Sequence, residues 1–291
     1  MDIDKARYCD LHTHSVYSDG TKTPREIIEC ADAIGLSAVA LTDHNTTAGL
    51  AEFLSPDVPC KVKRVSGIEV STDYGDKELH VIGLFLPSGA LGRVDELMGG
   101  LRKRKEDANR DMIARLRRAG YDVDFDELKS SSRGLFNRAH IAAELTKKGY
   151  TGSISEAFSY LLSKKGPFYV RAERLPVFDV IEFISEIGAV PIIAHPFLNL
   201  TEDELTVFLR KAVMRGLCGM ETVYSTYDEK TAAVSARLAR DFGLLESGGS
   251  DFHGENKPDI SLGTGRGNLA VPHDFLEKLE DFFKNGNNTN F

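Results

Sequence analysis

Cysteine is scarce in this 291-residue chain, and the four present, Cys9, Cys30, Cys60 and Cys218, have no paired spacing. They are expected to be reduced, mostly buried thiols of a cytoplasmic protein rather than a disulfide framework. No apolar run approaches the roughly 18 residues that a membrane-spanning helix needs. The first residues, Met1-Asp2-Ile3-Asp4-Lys5, are charged and lack the apolar stretch of a secretory signal. Basic excess is missing too. A formal charge of −8 argues against a sequence-independent coat over nucleic acid. It does not exclude a nucleic-acid end reaching into a cleft. Neither Gly-x-Gly-x-x-Gly nor Gly-x-x-x-x-Gly-Lys-[Ser/Thr] occurs, so a nucleotide would be a substrate rather than a resident cofactor. No Ser-His-Asp or cysteine nucleophile is arranged. What remains is 42% hydrophobic, enough for one sizeable α/β domain or for one domain carrying an insertion.

Histidine is also scarce, but it is concentrated. Six of eight histidines fall in short segments rich in metal-binding side chains. These are Asp10-Leu11-His12-Thr13-His14, Ser18-Asp19-Gly20, Thr42-Asp43-His44-Asn45, Gly67-Ile68-Glu69, Leu79-His80, Ala194-His195-Pro196 and Gly248-Gly249-Ser250-Asp251-Phe252-His253. Imidazole and carboxylate together suit zinc, manganese and iron.

The pattern around these segments predicts strands and helices in alternation. Ala6 to Leu11 reads as a strand ending in the His-x-His pair. Thr23-Pro24 opens a helix that runs through Ile27, Ile28, Ala31 and Ile34 and stops near Gly35. Strands at Ala38–Leu41, Val62–Val70 and Glu78–Leu86 carry Asp43-His44, Glu69 and His80. Residues 92 to 118 predict one long polar helix or two. Helices at 138–149 and 153–163 follow, with no strand alternation between about 92 and 165. Alternation resumes with a helix at Phe178–Ile184 and a strand at Ala189–Ala194. Next come a helix at Glu202–Met214, a strand at Gly219–Val223, a helix at Asp228–Phe242 and a strand at Leu244–Ser247. Such repeats predict a parallel sheet with crossover helices, closed or nearly closed as a barrel. Functional residues of barrels collect at the C-terminal strand ends. The polar tail Lys284 to Asn290 is expected to fray.

Taken singly, each motif has an ordinary reading. His12 and His14 alternate and would share a side of a strand end, but surface histidines do the same. Asp19 before Gly20 is a common turn. Asp43 could cap a helix, and His44 and His195 could be satisfied core histidines. Glu69 is harder to explain away, because an unpartnered buried carboxylate costs several kcal/mol. Two glycines before Asp251 would let backbone approach a ligand closely. Together, six histidines, two aspartates and a glutamate exceed the roughly four to six ligands of one ion and suit two or three.

In order along the chain, DLHTHSVYSDG, LTDHN, GIEVS, ELHVIG, AHP and GSDFH resemble the polymerase and histidinol phosphatase (PHP) superfamily. Within it the chain is similar to the stand-alone TrpH/YciV-type metal-dependent phosphoesterases. The resemblance implies a distorted (β/α)7 barrel of residues 1–91 and 166–291, with a helical insertion or cap of residues 92–165. It implies a trinuclear centre of manganese, iron or zinc. One ion would be held by His12, His14, Glu69 and Asp251, a second by Glu69, His80 and His195, and a third by Asp19, His44 and His253. Such a cluster supplies hydroxide near neutral pH as the attacking group. Arg138 and His140, in Arg138-Ala139-His140-Ile141-Ala142, would contact the substrate phosphate, although a solvated helix N-terminus would look the same. Arg102, Arg104, Asn109 and Arg110 could face a cleft or form a solvated helix face. The turn Lys164-Lys165-Gly166-Pro167 is similar to a family segment near the substrate. The implied activity is hydrolysis of nucleoside monophosphates, 3′,5′-bisphosphate nucleotides or the 5′ ends of short single strands. No membrane and no obligate protein partner is expected. The alternatives are a phosphatase of the histidinol-phosphatase kind on another small metabolite, or a non-catalytic metal-stabilised module.

Overall fold

The computed structural model of the protein describes residues 8–131 and 136–286. In chain order these form β1 (Tyr8–Asp10), α1 (Pro24–Ala33), β2 (Ala38–Leu41), α2 (Leu50–Phe53), β3 (Lys63–Tyr74), β4 (Lys77–Leu84) and α3 (Leu91–Arg118). They continue with α4 (Phe125–Ser131), α5 (Arg138–Lys147), α6 (Ile154–Glu156), β5 (Leu175–Pro176), α7 (Val177–Glu186) and β6 (Val190–Ala194). The last are α8 (Glu202–Ala212), β7 (Gly219–Tyr224), α9 (Glu229–Asp241), β8 (Leu245–Gly249), β9 (Val271–Pro272) and α10 (His273–Gly286). The chain divides into two compact units, Met1–Asp95 with Leu175–Phe291, and Glu96–Arg174. Among the described residues no helix is long and apolar enough to cross a membrane.

The larger unit is a mixed α/β structure around one sheet in the order β8-β7-β6-β4-β3-β2-β1-β9, with β5 paired to β3. The sheet curls until its two ends nearly meet. At and just past the ends of β1 and β8 the backbone pairs directly, with the Leu11 N–H donating to Gly248 O at 3.1 Å and the Asp251 N–H to His12 O at 2.9 Å. Alternate strand residues, among them Ala38, Ala40, Ile82, Leu84, Val190, Ile192 and Ala194, form a core with Val271, Leu276 and Leu279. Helices cover the sheet through narrow apolar faces. In α1, Thr23 and Glu26 form a reciprocal capping box, Pro24 occupies the first turn, and Ile27, Ile28 and Ala31 are buried.

The sheet departs from the all-parallel expectation at β3 and β4. Only Gly75 and Asp76 separate these strands, and they pair antiparallel from Gly67↔Leu84 to Tyr74↔Lys77. A two-residue link cannot make a parallel crossover. Reversal places the start of β4, rather than its end, at the rim where β1, β2 and β6 end. His80, the fourth residue of β4, therefore pairs with Ala194, the last residue of β6. The C-terminal region also has more order than expected. β9 pairs antiparallel with β1, and α10 continues through Lys284 to Gly286. The rest of the expected tail, and Ala6 and Arg7 of the first expected strand, lie outside the described residues.

The smaller unit contains most of α3, which is one helix of 28 residues. Its Met112, Ile113 and Leu116 pack with Val123, Phe125, Ile141, Ala142, Leu145 and Leu162. The helix expected at 153–163 is α6 running into a π-helical turn, Ala157–Leu162. Phe168 and Val170 pack on the same core, so this unit extends to Arg174.

Candidate metal centre

Nine side chains converge where the strands of the larger unit end. Their donor atoms fall into four overlapping groups whose members lie within 4.8 Å of one another. These are His14, Asp19, His44 and His253; His12, His14 and Asp251; His12, Glu69 and His195; and His44, Glu69 and His80. All nine residues singled out in the sequence as metal ligands are among them.

Local backbone explains the convergence. His12 and His14 alternate past β1 and are fully buried, with their Nε2 atoms 3.0 Å apart. Gly249, at the end of β8, admits this pair: a Cβ there would overlap His12 Cβ and backbone N. Among the described residues, three of the four non-glycine residues with positive φ are Asn45 (54°), His195 (28°) and Asp251 (58°), each a few residues or fewer past a site strand. Such backbone costs about 1–3 kcal/mol and persists where surrounding contacts enforce it.

Glu69 stands at the middle. Its Oε1 lies 2.8 Å from His80 Nδ1 and 3.0 Å from His195 Nε2. Its Oε2 lies 3.3 Å from both His12 Nε2 and His14 Nε2, and 2.9 Å from His44 Nδ1. One carboxylate thus faces two clusters, as a bridging ligand must. On the other side, Asp251 Oδ1 is 3.3 Å from His14 Nε2 and from His253 Nδ1. Asp19 Oδ1 is 3.2 Å from His253 Nε2.

The polar groups here satisfy one another poorly. His14 Nδ1, Asp19 Oδ1, His44 Nδ1 and Glu69 Oε2 are buried without a hydrogen-bond partner. His44 Nδ1 and Glu69 Oε2 are close but misaligned for such a bond. Orphaned buried donors and acceptors are costly. Cations among them remove that cost, and the cluster fits a multinuclear metal site.

The electrostatics agree. Burial works against charge on His12, Glu69 and Asp251 and is the largest single effect on each of the three. Even so, the carboxylates of Glu221, Glu69 and Asp251 hold the His12 imidazole well above its ordinary value. His14 is raised to about 9 against burial, by Asp251 and Glu69. His80 is raised to about 10, by Glu69 and Glu78. Glu69 and Asp251 are held well below the usual carboxylate range by the surrounding imidazoles. Burial pushes His44 and His253 down. The carboxylates create a potential that favours positive charge, met by protons when no metal is bound.

Several residues that shape the site were not assigned roles from the sequence. Asp43 accepts from Ser15 N and Oγ at 2.7 Å and from Ser18 Oγ at 2.6 Å, so it ties down the loop after His14 instead of capping a helix. Asp10 accepts from Ser250 N (2.8 Å), Ser250 Oγ (2.6 Å) and Gly263 N (2.8 Å). Tyr224 and Lys257 donate to Asp251 Oδ2 at 2.7 and 2.6 Å. Glu221 is fully buried and contacts His12 and His195. A carboxylate inside the expected strand Gly219–Val223 was the available signal for it.

Arg138 and His140 belong to the smaller unit. Arg138 Nη1 donates to Leu162 O at 3.1 Å, and its guanidinium lies 5.0 Å from the centre of the Tyr169 ring. His140 closes a capping box with Asn137 at the start of α5. Burial lowers its basicity. Asn109 is buried and donates to Phe136 O at 3.3 Å, which gives it a packing role within this unit. Arg110 stacks on Phe125 at 3.9 Å.

A sequence profile for the PHP domain matches residues 10–158, just over half of the chain. The chain belongs to the PHP domain family. A 5′-3′ exoribonuclease of Haemophilus influenzae is 30% identical over 245 residues, 84% of this chain and 89% of that protein. A phosphoribosyl 1,2-cyclic phosphate 1,2-diphosphodiesterase of Eggerthella lenta is 32% identical, over 84% and 94% of the two chains. A 3′,5′-nucleoside bisphosphate phosphatase of Chromobacterium violaceum is 30% identical, over 86% and 90%. Among solved structures, a protein provisionally described as a metal-dependent phosphoesterase, from Bifidobacterium adolescentis, superposes with a TM-score of 0.77 at 26% identity, covering 95% of this chain and 96% of that one. The three named relatives are hydrolases of phosphoester bonds, and this PHP protein is a metal-dependent phosphoesterase.

Proposed function

We propose that this chain hydrolyses phosphate esters of nucleotides, either free or at the 5′ end of a short single strand, at a centre of two or three divalent ions. The convergence of nine donor side chains around orphaned buried atoms carries the reading. His12, His14, Glu69 and Asp251 would hold one ion, Glu69, His80 and His195 a second, and Asp19, His44 and His253 a third. When bound, the ions supply Lewis acidity toward the phosphoryl group and lower the pKa of water to near neutrality.

The chain's own residues prepare that chemistry. Glu69 presents one oxygen to each cluster. The His253 Nδ1–H donates to Asp251 O at 2.8 Å, which turns Nε2 toward Asp19. Tyr224 and Lys257 occupy Asp251 Oδ2 and leave Oδ1 toward the histidines. Arg138 and His140 are the proposed contacts to the substrate phosphate, supported by the similarity of Arg138–Ala142 to the family segment. A fork-shaped guanidinium suits that role.

A second reading, action on a small phosphorylated metabolite without a nucleobase, is favoured by the relative that acts on a phosphoribosyl cyclic phosphate. One experiment separates the two. Turnover is measured with Mn²⁺ as phosphate release from AMP, a 3′,5′-bisphosphate nucleotide and histidinol phosphate, as release of phosphate or mononucleotide from a 5′-phosphorylated tetranucleotide, and as ring opening to the monoester for a ribose cyclic phosphate. Turnover of nucleotides or the tetranucleotide, abolished by chelator and restored by Mn²⁺, is the expected result. Turnover confined to the last two compounds would replace the nucleotide reading, and chelator-insensitive turnover would refute the metal centre.

A further inference from the structure

We infer that Glu221 is a positioning residue for the metal centre: its one carboxylate sets the ring state of His12 and the backbone of His195 together. The inference rests on the metal-centre reading above and adds a residue outside the nine ligands. Glu221 projects from β7 and is fully buried. Its Oε1 lies 3.0 Å from His12 Nδ1, and its Oε2 accepts from the His195 backbone N–H at 2.7 Å. The two histidines follow different strands, β1 and β6.

Each contact has its own consequence. Nδ1–H donation to Oε1 leaves the His12 Nε2 lone pair facing His14 Nε2 at 3.0 Å and Glu69 Oε2 at 3.3 Å. A carboxylate behind an imidazole fixes which nitrogen is free to ligate and keeps the ring from turning. Donation from the His195 N–H to Oε2 holds a residue whose φ of 28° is unfavourable for any side chain. That backbone directs His195 Nε2 to Glu69 Oε1 at 3.0 Å. Glu221 thereby sets a histidine on each oxygen of the bridging carboxylate. The strand is built to aim it. The β7–β8 register shifts between Glu221 and Val223, so Glu221 pairs with Ser247 and Val223 with Gly248. A bulge of this kind bends the strand locally and re-aims a side chain.

Glu221→Gln separates this role from mere filling of space. The carboxamide is isosteric but offers one acceptor and one donor. Its oxygen will take the His195 N–H, which has no other state. Its NH₂ then faces His12 Nδ1, and the imidazole must move its proton to Nε2, the ligating nitrogen. Metal affinity is expected to fall roughly 10- to 100-fold, the usual cost of losing such a partner.

The test compares wild type and Glu221→Gln by zinc content after dialysis against graded chelator. Beside it, ¹H–¹⁵N NMR of the zinc-loaded wild type asks which His12 nitrogen bears the proton, with the His12 ring signal assigned by through-bond correlation to its own backbone. The expected results are an exchange-protected Nδ1–H in wild type and release of zinc from the variant at 10- to 100-fold lower chelator. Equal zinc retention by both proteins overturns the role of Glu221 and leaves the metal centre standing. A wild type that takes up no zinc or manganese refutes the metal-centre reading and this inference with it. Should the variant fail to fold, the wild-type spectrum still decides: a proton on His12 Nε2 overturns the inference.

Discussion

At the scale of single residues, the site is defined by side chains whose burial makes sense only in company. Asp251 is buried, and its carboxylate joins His14, His253, Tyr224 and Lys257. His12→Ala and Asp251→Ala are both expected to leave the fold intact and to lose at least roughly 100-fold in metal affinity, beyond what loss of a ligand's partner costs. Metal analysis beside circular dichroism checks this, and full metal content in either variant would remove that residue from the ligand set. Arg138→Ala should behave oppositely. Losing one charge-assisted contact costs about 1.5–3 kcal/mol, so kcat/KM should fall roughly ten- to over a hundredfold while metal content stays at the wild-type level. An unchanged kcat/KM would place Arg138 outside the substrate site. The ligand residues were legible because their segments fall just past or near an end of an expected strand, where a cluster of polar groups needs a reason. Glu221 obeys the same rule, and the argument made for Glu69 applies to it unchanged. What hid it was context: Gly219 stands two residues before Glu221 as Gly67 does before Glu69, but Thr222 follows it and breaks the apolar surroundings that set Glu69 apart.

At the scale of elements, the strand–helix alternation and most strand positions were readable from hydrophobic runs, but strand direction was not. Direction depends on the connection, and the Tyr74-Gly75-Asp76-Lys77 link is too short for anything but a hairpin. Treating that stretch as a gap between parallel strands missed the reversal that puts His80 at the rim. α10 was missed for a different reason. Its polar neighbours after Lys284 suggested a tail, whereas Phe275, Leu276 and Leu279 are core residues. The close approach of β8 to the segment after β1 is the element-level contact on which the site depends most. Gly249→Ala would place a methyl group against the backbone and Cβ of His12. Overpacking of this kind costs typically about 1–3 kcal/mol, and neither neighbour is a flexible side-chain end that can yield. Thermal unfolding of the metal-free variant should start several degrees below wild type, with weaker zinc retention. Wild-type values for both would mean that the two segments separate without consequence.

At the scale of the whole molecule, the net charge of −8 conceals a partition. Residues 96–174 carry 17 lysines and arginines against 11 aspartates and glutamates, a formal charge of +6, while the rest of the chain carries 19 against 33, or −14. The overall charge said nothing about where the basic residues lie, since their grouping follows from the division into units. An acidic unit with a metal-fitting cluster and a basic unit treat a polyanionic substrate differently. Divalent ions neutralise negative charge locally, whereas lysines and arginines attract several phosphates and release counterions. If the substrate is a short single strand, KM for a 5′-phosphorylated tetranucleotide should rise more steeply with salt than KM for AMP. With two phosphates neutralised on a single strand, the logarithmic slope would be roughly −1.4 for affinity, or about a sevenfold loss between 50 and 200 mM salt. Lys164→Glu with Lys165→Glu, both exposed, should raise KM for the tetranucleotide and leave that for AMP unchanged. Identical salt slopes for the two substrates, and equal response to the double substitution, would confine recognition to the terminal nucleotide and remove the basic unit from binding the rest of the strand.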